Sequence, residues 1–314
     1  MTSFAFVFPG QGSQAVGMLD AWGDHPAVKD TLQEASDALG EDVARLIQAG
    51  PKEALALTTN TQPVMLVAGV AAWRAWKAEG GADPVAVAGH SLGEYSALVA
   101  AGALTLAQAA PLVRFRAQAM QQAVPVGTGA MAAILGLDPA RVAQVCAEIS
   151  ASLGGSEIAE AVNFNDPGQT VIAGTKTAVD QACVAMKAAG AKRALPLPVS
   201  APFHSSLMKP AADALRERLA TLDIRSPRIP VLNNIDVTFE NGAAAMRDAL
   251  YRQAFGPVRW VECINALKQQ SVSHVVECGP GKILAGLTKR IDASLVASAI
   301  YDPATLAETK VLLG

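Results

Sequence analysis

Val85-Ala86-Val87-Ala88 runs directly into Gly89-His90-Ser91-Leu92-Gly93, and Glu94 to Ala100 continues with a helical pattern. An apolar run that ends on glycine reads as a buried strand, here Pro84 to Ala88, and a helix should start near Leu92. Strand, G-x-S-x-G and helix in that order are the context of a nucleophile elbow, a turn that pushes the serine hydroxyl into the open at a helix N-terminus. The two glycines let strand and helix close tightly around that turn. The alternative is a glycine-rich turn whose serine only caps the helix, and 26 glycines give such a pattern room to arise by chance. The flanking strand and helix favour the elbow.

Working outward, Phe4 to Phe8 is a second apolar run, stopped by Pro9-Gly10 and followed by polar Gln11-Gly12-Ser13-Gln14, which predicts a strand and then a loop. Helical patterning covers Ala27 to Leu39 and Pro63 to Lys77. Another helix begins around Thr105, where Thr105 and Gln108 have capping-box spacing, and runs to about Ala123, with Pro111 implying a kink or a later start. From Gly129 the rhythm changes. A strand (Met131 to Leu135), a helix (Asp138 to Ser150), a hairpin turning at Asn165-Asp166-Pro167-Gly168, a helix (Lys176 to Ala189) and an extended run (Arg193 to Val199) follow in turn. That β-α-β-β-α-β order predicts a ferredoxin-like lobe with two helices on one face of its sheet. The α/β rhythm then resumes, with helices near Leu207 to Leu219, Ala243 to Ala254 and Val258 to Gln269, and strands at Ile229 to Leu232, His274 to Glu277 and Ser294 to Ala299. The expected fold is α/β: a large α/β-hydrolase-like lobe with a parallel sheet, made from residues 1–127 and 200–314, and a ferredoxin-like lobe inserted at 128–199.

Composition narrows the function. With 51% hydrophobic and 17% charged residues in 314, the chain can bury a sizeable core. No run of eighteen or more apolar residues appears, and the N-terminal stretch has no basic segment of a secretory signal, so a cytoplasmic protein without membrane insertion is expected. The four cysteines are scattered without a C-x-x-C pair, which suggests neither a disulfide framework nor a metal site. A net charge of −3 offers nucleic acid no general attraction.

A serine hydroxyl needs a base, and there are four histidines. His25 precedes Pro26 in a loop, and His90 adjoins Ser91, where neighbouring side chains diverge; both read as structural. His274 starts an apolar strand, where a histidine is more often simply hydrogen-bonded. His204 is different. It lies in Ser200-Ala201-Pro202-Phe203-His204-Ser205, a loop returning from the small lobe that can overhang a cleft, with helix capping or packing as the alternative role. Arg116 shares a helical stripe with Leu112, Ala119, Met120 and Ala123, so it points inward. A buried guanidinium needs an anion, supplied either by an internal carboxylate or by an acidic substrate. Gly10-Gln11-Gly12-Ser13-Gln14-Ala15 imitates a dinucleotide fingerprint, but Gly23-Asp24-His25-Pro26 interrupts the helix that should follow. Gly279-Pro280-Gly281-Lys282 lacks the first glycine and the final Ser or Thr of a phosphate loop.

Phe8-Pro9-Gly10-Gln11-Gly12, Gly89 to Glu94, Arg116, Asn163 to Gly174, Ala201-Pro202-Phe203-His204, Asn233-Asn234 and Glu277 to Gly281 together resemble the malonyl-CoA:acyl-carrier-protein transacylases almost end to end. The resemblance implies Ser91 as nucleophile, His204 as base, Arg116 as clamp for the malonyl carboxylate, and the amides of Gln11 and Leu92 as oxyanion hole. It further implies that a backbone carbonyl near Gln253, rather than an Asp, orients the histidine. Malonyl-CoA and acyl carrier protein are then the partners, coenzyme A enters only as substrate thioester, no metal or bound cofactor is called for, and a monomer is expected. Because the carrier is acidic in this family, Lys289 and Arg290 at a helix end are docking candidates, with simple dipole pairing as the alternative. Lys187, Lys192 and Arg193 on the small lobe come next. Rival readings are an α/β serine hydrolase or thioesterase, which has no use for an inward arginine, a non-catalytic carrier-binding module, and a polyketide acyltransferase acting in trans.

Overall fold

The computed structural model describes residues 2–199 and 201–314; Ser200, the first residue of the His204 loop, and Met1 lie outside the described residues. The chain begins with β1 (Phe4–Phe8), α1 (Pro26–Leu39), α2 (Val43–Ala49), α3 (Lys52–Ala56), α4 (Thr58–Ala78), β2 (Ala86–Gly89), α5 (Gly93–Ala100) and α6 (Leu106–Gln122). β3 (Gly129–Leu135), α7 (Pro139–Ser152), β4 (Ala159–Asp166), β5 (Gln169–Thr175), α8 (Lys176–Ala188) and β6 (Arg193–Pro196) follow. It ends with α9 (Lys209–Ala220), β7 (Val231–Leu232), α10 (Ala243–Gln253), α11 (Trp260–Gln269), β8 (His274–Cys278), α12 (Ile283–Ile291), β9 (Val296–Ile300) and α13 (Pro303–Leu313).

Two sheets organise these elements. The first has the order β7-β2-β1-β8-β9 and is parallel throughout. Every residue of β1 is buried, because helices cover both faces. Phe4, Phe6 and Phe8 project into one core, where Phe6 meets the rings of Trp73 and Trp76 on α4 at 5.5 Å each. Ala5 and Val7 project the other way, onto Trp260, Ile264 and Leu267 of α11. The second sheet has the order β4-β5-β3-β6 and is antiparallel, the arrangement that the β-α-β-β-α-β order predicts. Its Ala132, Ile134 and Ile172 pack under α7 and α8, while Met131, Ala133 and Val171 face the large core. The chain leaves and re-enters the first unit at one place. Gly129 lies so close to Pro202 that a β-carbon there would sit 2.3 Å from the proline ring.

Two helix starts bear on the sequence expectation, one moved and one kept. α4 starts at Thr58 rather than Pro63, because its first turn is tied from outside: Thr61 Oγ1 donates to Leu55 O at 2.7 Å and Asn60 Nδ2 to Ala54 O at 2.9 Å. α6 starts at Leu106 with the full Thr105–Gln108 capping box and continues through Pro111, so the later start implied by the proline does not occur. Among the described residues no helix is long and apolar enough to cross a membrane.

Candidate active site

The elbow forms because only glycine fits on either side of the serine. A β-carbon on Gly89 would lie 1.8 Å from the Gly93 backbone, and one on Gly93 would lie 2.0 Å from Phe8 O. Ser91 between them takes φ of 53°, a left-handed conformation that costs an L-residue on the order of 1–3 kcal/mol. The surroundings hold it on both sides: Asn234 Oδ1 accepts from Ser91 N–H at 2.8 Å, and Gln253 Nε2 donates to Ser91 O at 2.9 Å.

His204 reaches the serine from the loop behind the second sheet. Its Nε2 stands 2.7 Å from Ser91 Oγ, and its Nδ1 stands 2.9 Å from the backbone O of Gln253. A carbonyl only accepts, so Nδ1 carries the proton and Nε2 is left to accept from the serine hydroxyl. His204 also has a left-handed φ of 65° and is almost fully buried. Burial, reinforced by the positive charge of Arg116, pushes its pKa down to about 3, so the ring is neutral at neutral pH.

Arg116 comes from the inward stripe of α6 and is 2% exposed. Its guanidinium donates to Gln62 Oε1 at 2.7 Å, Gln253 Oε1 at 3.0 Å and Ser91 Oγ at 3.3 Å, and lies 5.5 Å from the ring centre of Tyr95. These partners are neutral. No carboxylate forms an ion pair with Arg116 among the described residues, and its Nε has no partner. Burial lowers its pKa, which is the cost of holding a cation here without direct compensation. Glu94 lies one amide away, through Gln253, and burial raises its own pKa to about 7.

Gln11 and Leu92 line the same cavity as Ser91, Arg116 and His204, a space of about 350 Å³ closed from the second sheet by Met131, Asn163 and Val171. Neither backbone N–H donates to a protein acceptor among the described residues, and Leu92 sits at the N-terminus of α5. His90 is turned away from Ser91 to Asn165 Oδ1, at 2.8 Å. His25 approaches Glu79 at 3.6 Å and His274 bonds Ser273 at 2.9 Å, both apart from the cavity. Lys289 and Arg290 are exposed at the end of α12, but they differ. Arg290 Nε is 2.6 Å from Asp166 Oδ2 on β4, so its charge ties α12 to the second sheet. Among the described residues no group of three or more His, Cys, Asp or Glu is placed to hold a metal ion.

Sequence reasoning did not single out Gln62, Glu94 or the side chains of Asn234 and Gln253 as parts of the site. Glu94 follows the elbow and had a local signal. Gln62 had none, since only the packing of α4 against α6 brings it to Arg116.

A serine oxygen bonded to a neutral buried histidine in a strained turn defines a class: enzymes that pass acyl groups through a serine ester. Residues 5–295 match the acyl transferase domain family. The chain is 55% identical over 307 residues to the malonyl CoA-acyl carrier protein transacylase of Salmonella typhimurium, covering 98% of each. It superposes on the acyl-carrier-protein S-malonyltransferase of Burkholderia pseudomallei with a TM-score of 0.96 and 63% identity, over 98% of this chain and 99% of that one. A malonyl-transacylase solved in complex with its type II PKS acyl-carrier protein is 51% identical, with a TM-score of 0.95 over 98% of both chains. The chain belongs to the malonyl-CoA:acyl-carrier-protein transacylase family.

Proposed function

We propose that this protein moves a malonyl group from malonyl-CoA to the phosphopantetheine thiol of acyl carrier protein through an ester on Ser91, supplying extender units for fatty-acid synthesis. The observation that carries this is the buried Arg116 guanidinium, without a carboxylate partner and 3.3 Å from Ser91 Oγ. It offers a seat for one acidic acyl group beside the nucleophile.

Ser91 Oγ attacks the thioester carbonyl while His204 Nε2 takes its proton, and the tetrahedral oxyanion rests on the amides of Gln11 and Leu92. Collapse expels coenzyme A, which takes the proton from His204. The carrier thiol then gives its proton to His204 and attacks the ester, and Ser91 Oγ recovers a proton as malonyl-carrier protein departs. Arg116 has a second effect. Its charge helps to depress His204, so a malonyl carboxylate that neutralises it makes the base stronger as the correct substrate arrives. The backbone carbonyl of Gln253 keeps His204 in the required tautomer.

In this reading residues 1–127 and 200–314 form the catalytic lobe and 128–199 an inserted lobe, since each sheet draws its strands from only one of these. The protein acts as a cytoplasmic monomer, with coenzyme A entering only as substrate thioester and no bound cofactor taking part. Lys289 receives the acidic carrier. The type II PKS relative supports a second reading, in which the carrier belongs to polyketide synthesis. The test is intact-mass measurement after mixing with malonyl-CoA: the parent gains a malonyl adduct and folded Ser91→Ala gains none. An adduct that persists in Ser91→Ala overturns the reading.

A further inference from the structure

Gln253 touches Ser91, Arg116 and His204 at once. Its backbone O accepts from His204 Nδ1, its Nε2 donates to Ser91 O, and its Oε1 accepts from Arg116. A side-chain amide has two faces of opposite character, and a flip would set its NH2 against the guanidinium, donor against donor. The same flip would set Oε1 against Ser91 O, acceptor against acceptor, and a fourth contact adds a further bar to it. Nε2 also donates to Glu94 Oε2 at 3.1 Å, and Glu94 is only 3% exposed. The same oxygen accepts the backbone N–H of Asn234 at 3.0 Å, and Asn234 Oδ1 is the group that holds Ser91 N–H. One buried carboxyl oxygen thus braces both residues that hold the strained serine, and a carboxyl oxygen accepts whether or not the other oxygen carries a proton.

We propose that Glu94 is a positioning residue for malonyl selectivity: through Oε2 it fixes the amide sense of Gln253, and Gln253 in turn fixes Arg116 and the Ser91 backbone. The inference rests on the roles given above to Ser91 and Arg116. Glu94 touches no substrate. It acts only through Gln253 and Asn234.

The test compares the ratio of kcat/KM for malonyl-CoA over acetyl-CoA in the parent, Glu94→Met and Glu94→Gln, with folding followed by thermal melting. Met fills the space without accepting, so the ratio should fall at least about tenfold, as expected when a buried amide loses its acceptor. Gln still offers a carbonyl oxygen at the same reach and should restore the ratio to within about threefold of the parent. A purely structural Glu94 would lower the melting temperature and leave the ratio of the folded enzyme unchanged, which overturns the proposal. So does a Glu94→Gln variant no better than Glu94→Met. Gln253→Met gives an independent arm should Glu94→Met not fold: an unchanged ratio there overturns the relay. Where both fold, the double variant should lose no more than either single one, and additive losses overturn the relay. Failure of the parent reading looks different, because Arg116→Ala would then lose malonyl and acetyl transfer equally.

Discussion

Replacing Arg116 by alanine should convert the enzyme from a malonyl-selective to a nearly indifferent acyltransferase. In the parent, the guanidinium is 2% exposed and anchored at Nη1 by Gln62 and at Nη2 by Gln253, which leaves its charge for the substrate. Without it, a malonyl carboxylate would be buried unpaired, with the Glu94 carboxyl group one amide away. Breaking a buried charge pair by removing one partner costs about 3–5 kcal/mol, so kcat/KM for malonyl-CoA should fall by roughly 150- to 4,000-fold. Acetyl-CoA offers no carboxylate and loses nothing at this contact. Its acylation rate should rise modestly, because removing Arg116 lifts one of the two principal causes that hold His204 down near 3. Single-turnover acylation of the folded variant with each thioester, read by intact mass, separates the two effects. Equal losses with both substrates would show that Arg116 serves packing rather than recognition and would refute the argument.

Glu277, wholly buried at the end of β8, accepts the Ala285 N–H of α12 at 2.9 Å, and burial raises its carboxyl to about 7 from 4.5. The folded state therefore favours the protonated form, so the stability it contributes is fully present below about pH 4.5 and is lost as pH rises through about 7, on the order of 3 kcal/mol. Glu277→Gln keeps the acceptor and removes that loss, so its melting temperature should exceed the parent's by more at about pH 8 than at about pH 5; a gap independent of pH would refute this. For docking, Lys289→Glu should raise KM for carrier protein in a salt-dependent way and leave acylation by malonyl-CoA unchanged. Arg290 is the wrong probe for that purpose, since its substitution also breaks the contact with Asp166. An unchanged carrier KM in Lys289→Glu moves the patch to Lys187, Lys192 and Arg193.

Local signals carried the β-α-β-β-α-β order of the second unit and most elements, because the physics that forms them is local. The glycine spacing around Ser91, the Thr105–Gln108 cap and the short apolar run of β1 stopped by Pro9-Gly10 each state their conformation within a few residues. Short helices were less legible: α2 and α3 span too few turns to show a period, and α13 went unread although Asp302-Pro303 is a cap followed by proline in the first turn.

The sequence by itself also singled out Ser91, His204 and Arg116, since a nucleophile, a base and an inward cation are rare residue types in telling places. It left open whether Arg116 meets an internal carboxylate or a ligand. Only the tertiary structure decided that, among the described residues, amide oxygens rather than a carboxylate meet it. Gln62 on α4, Gln253 at the end of α10 and Asn234 in the loop after β7 lie 54, 137 and 143 residues from the groups they bond around the elbow. Gln62 and Gln253 accept from Nη1 and Nη2 of the guanidinium without cancelling its charge, and no pattern along the chain records which amide oxygen will face it. Hydrogen-bond sense is set by three-dimensional neighbours of fixed donor or acceptor character, so it exists only once the chain has closed on itself.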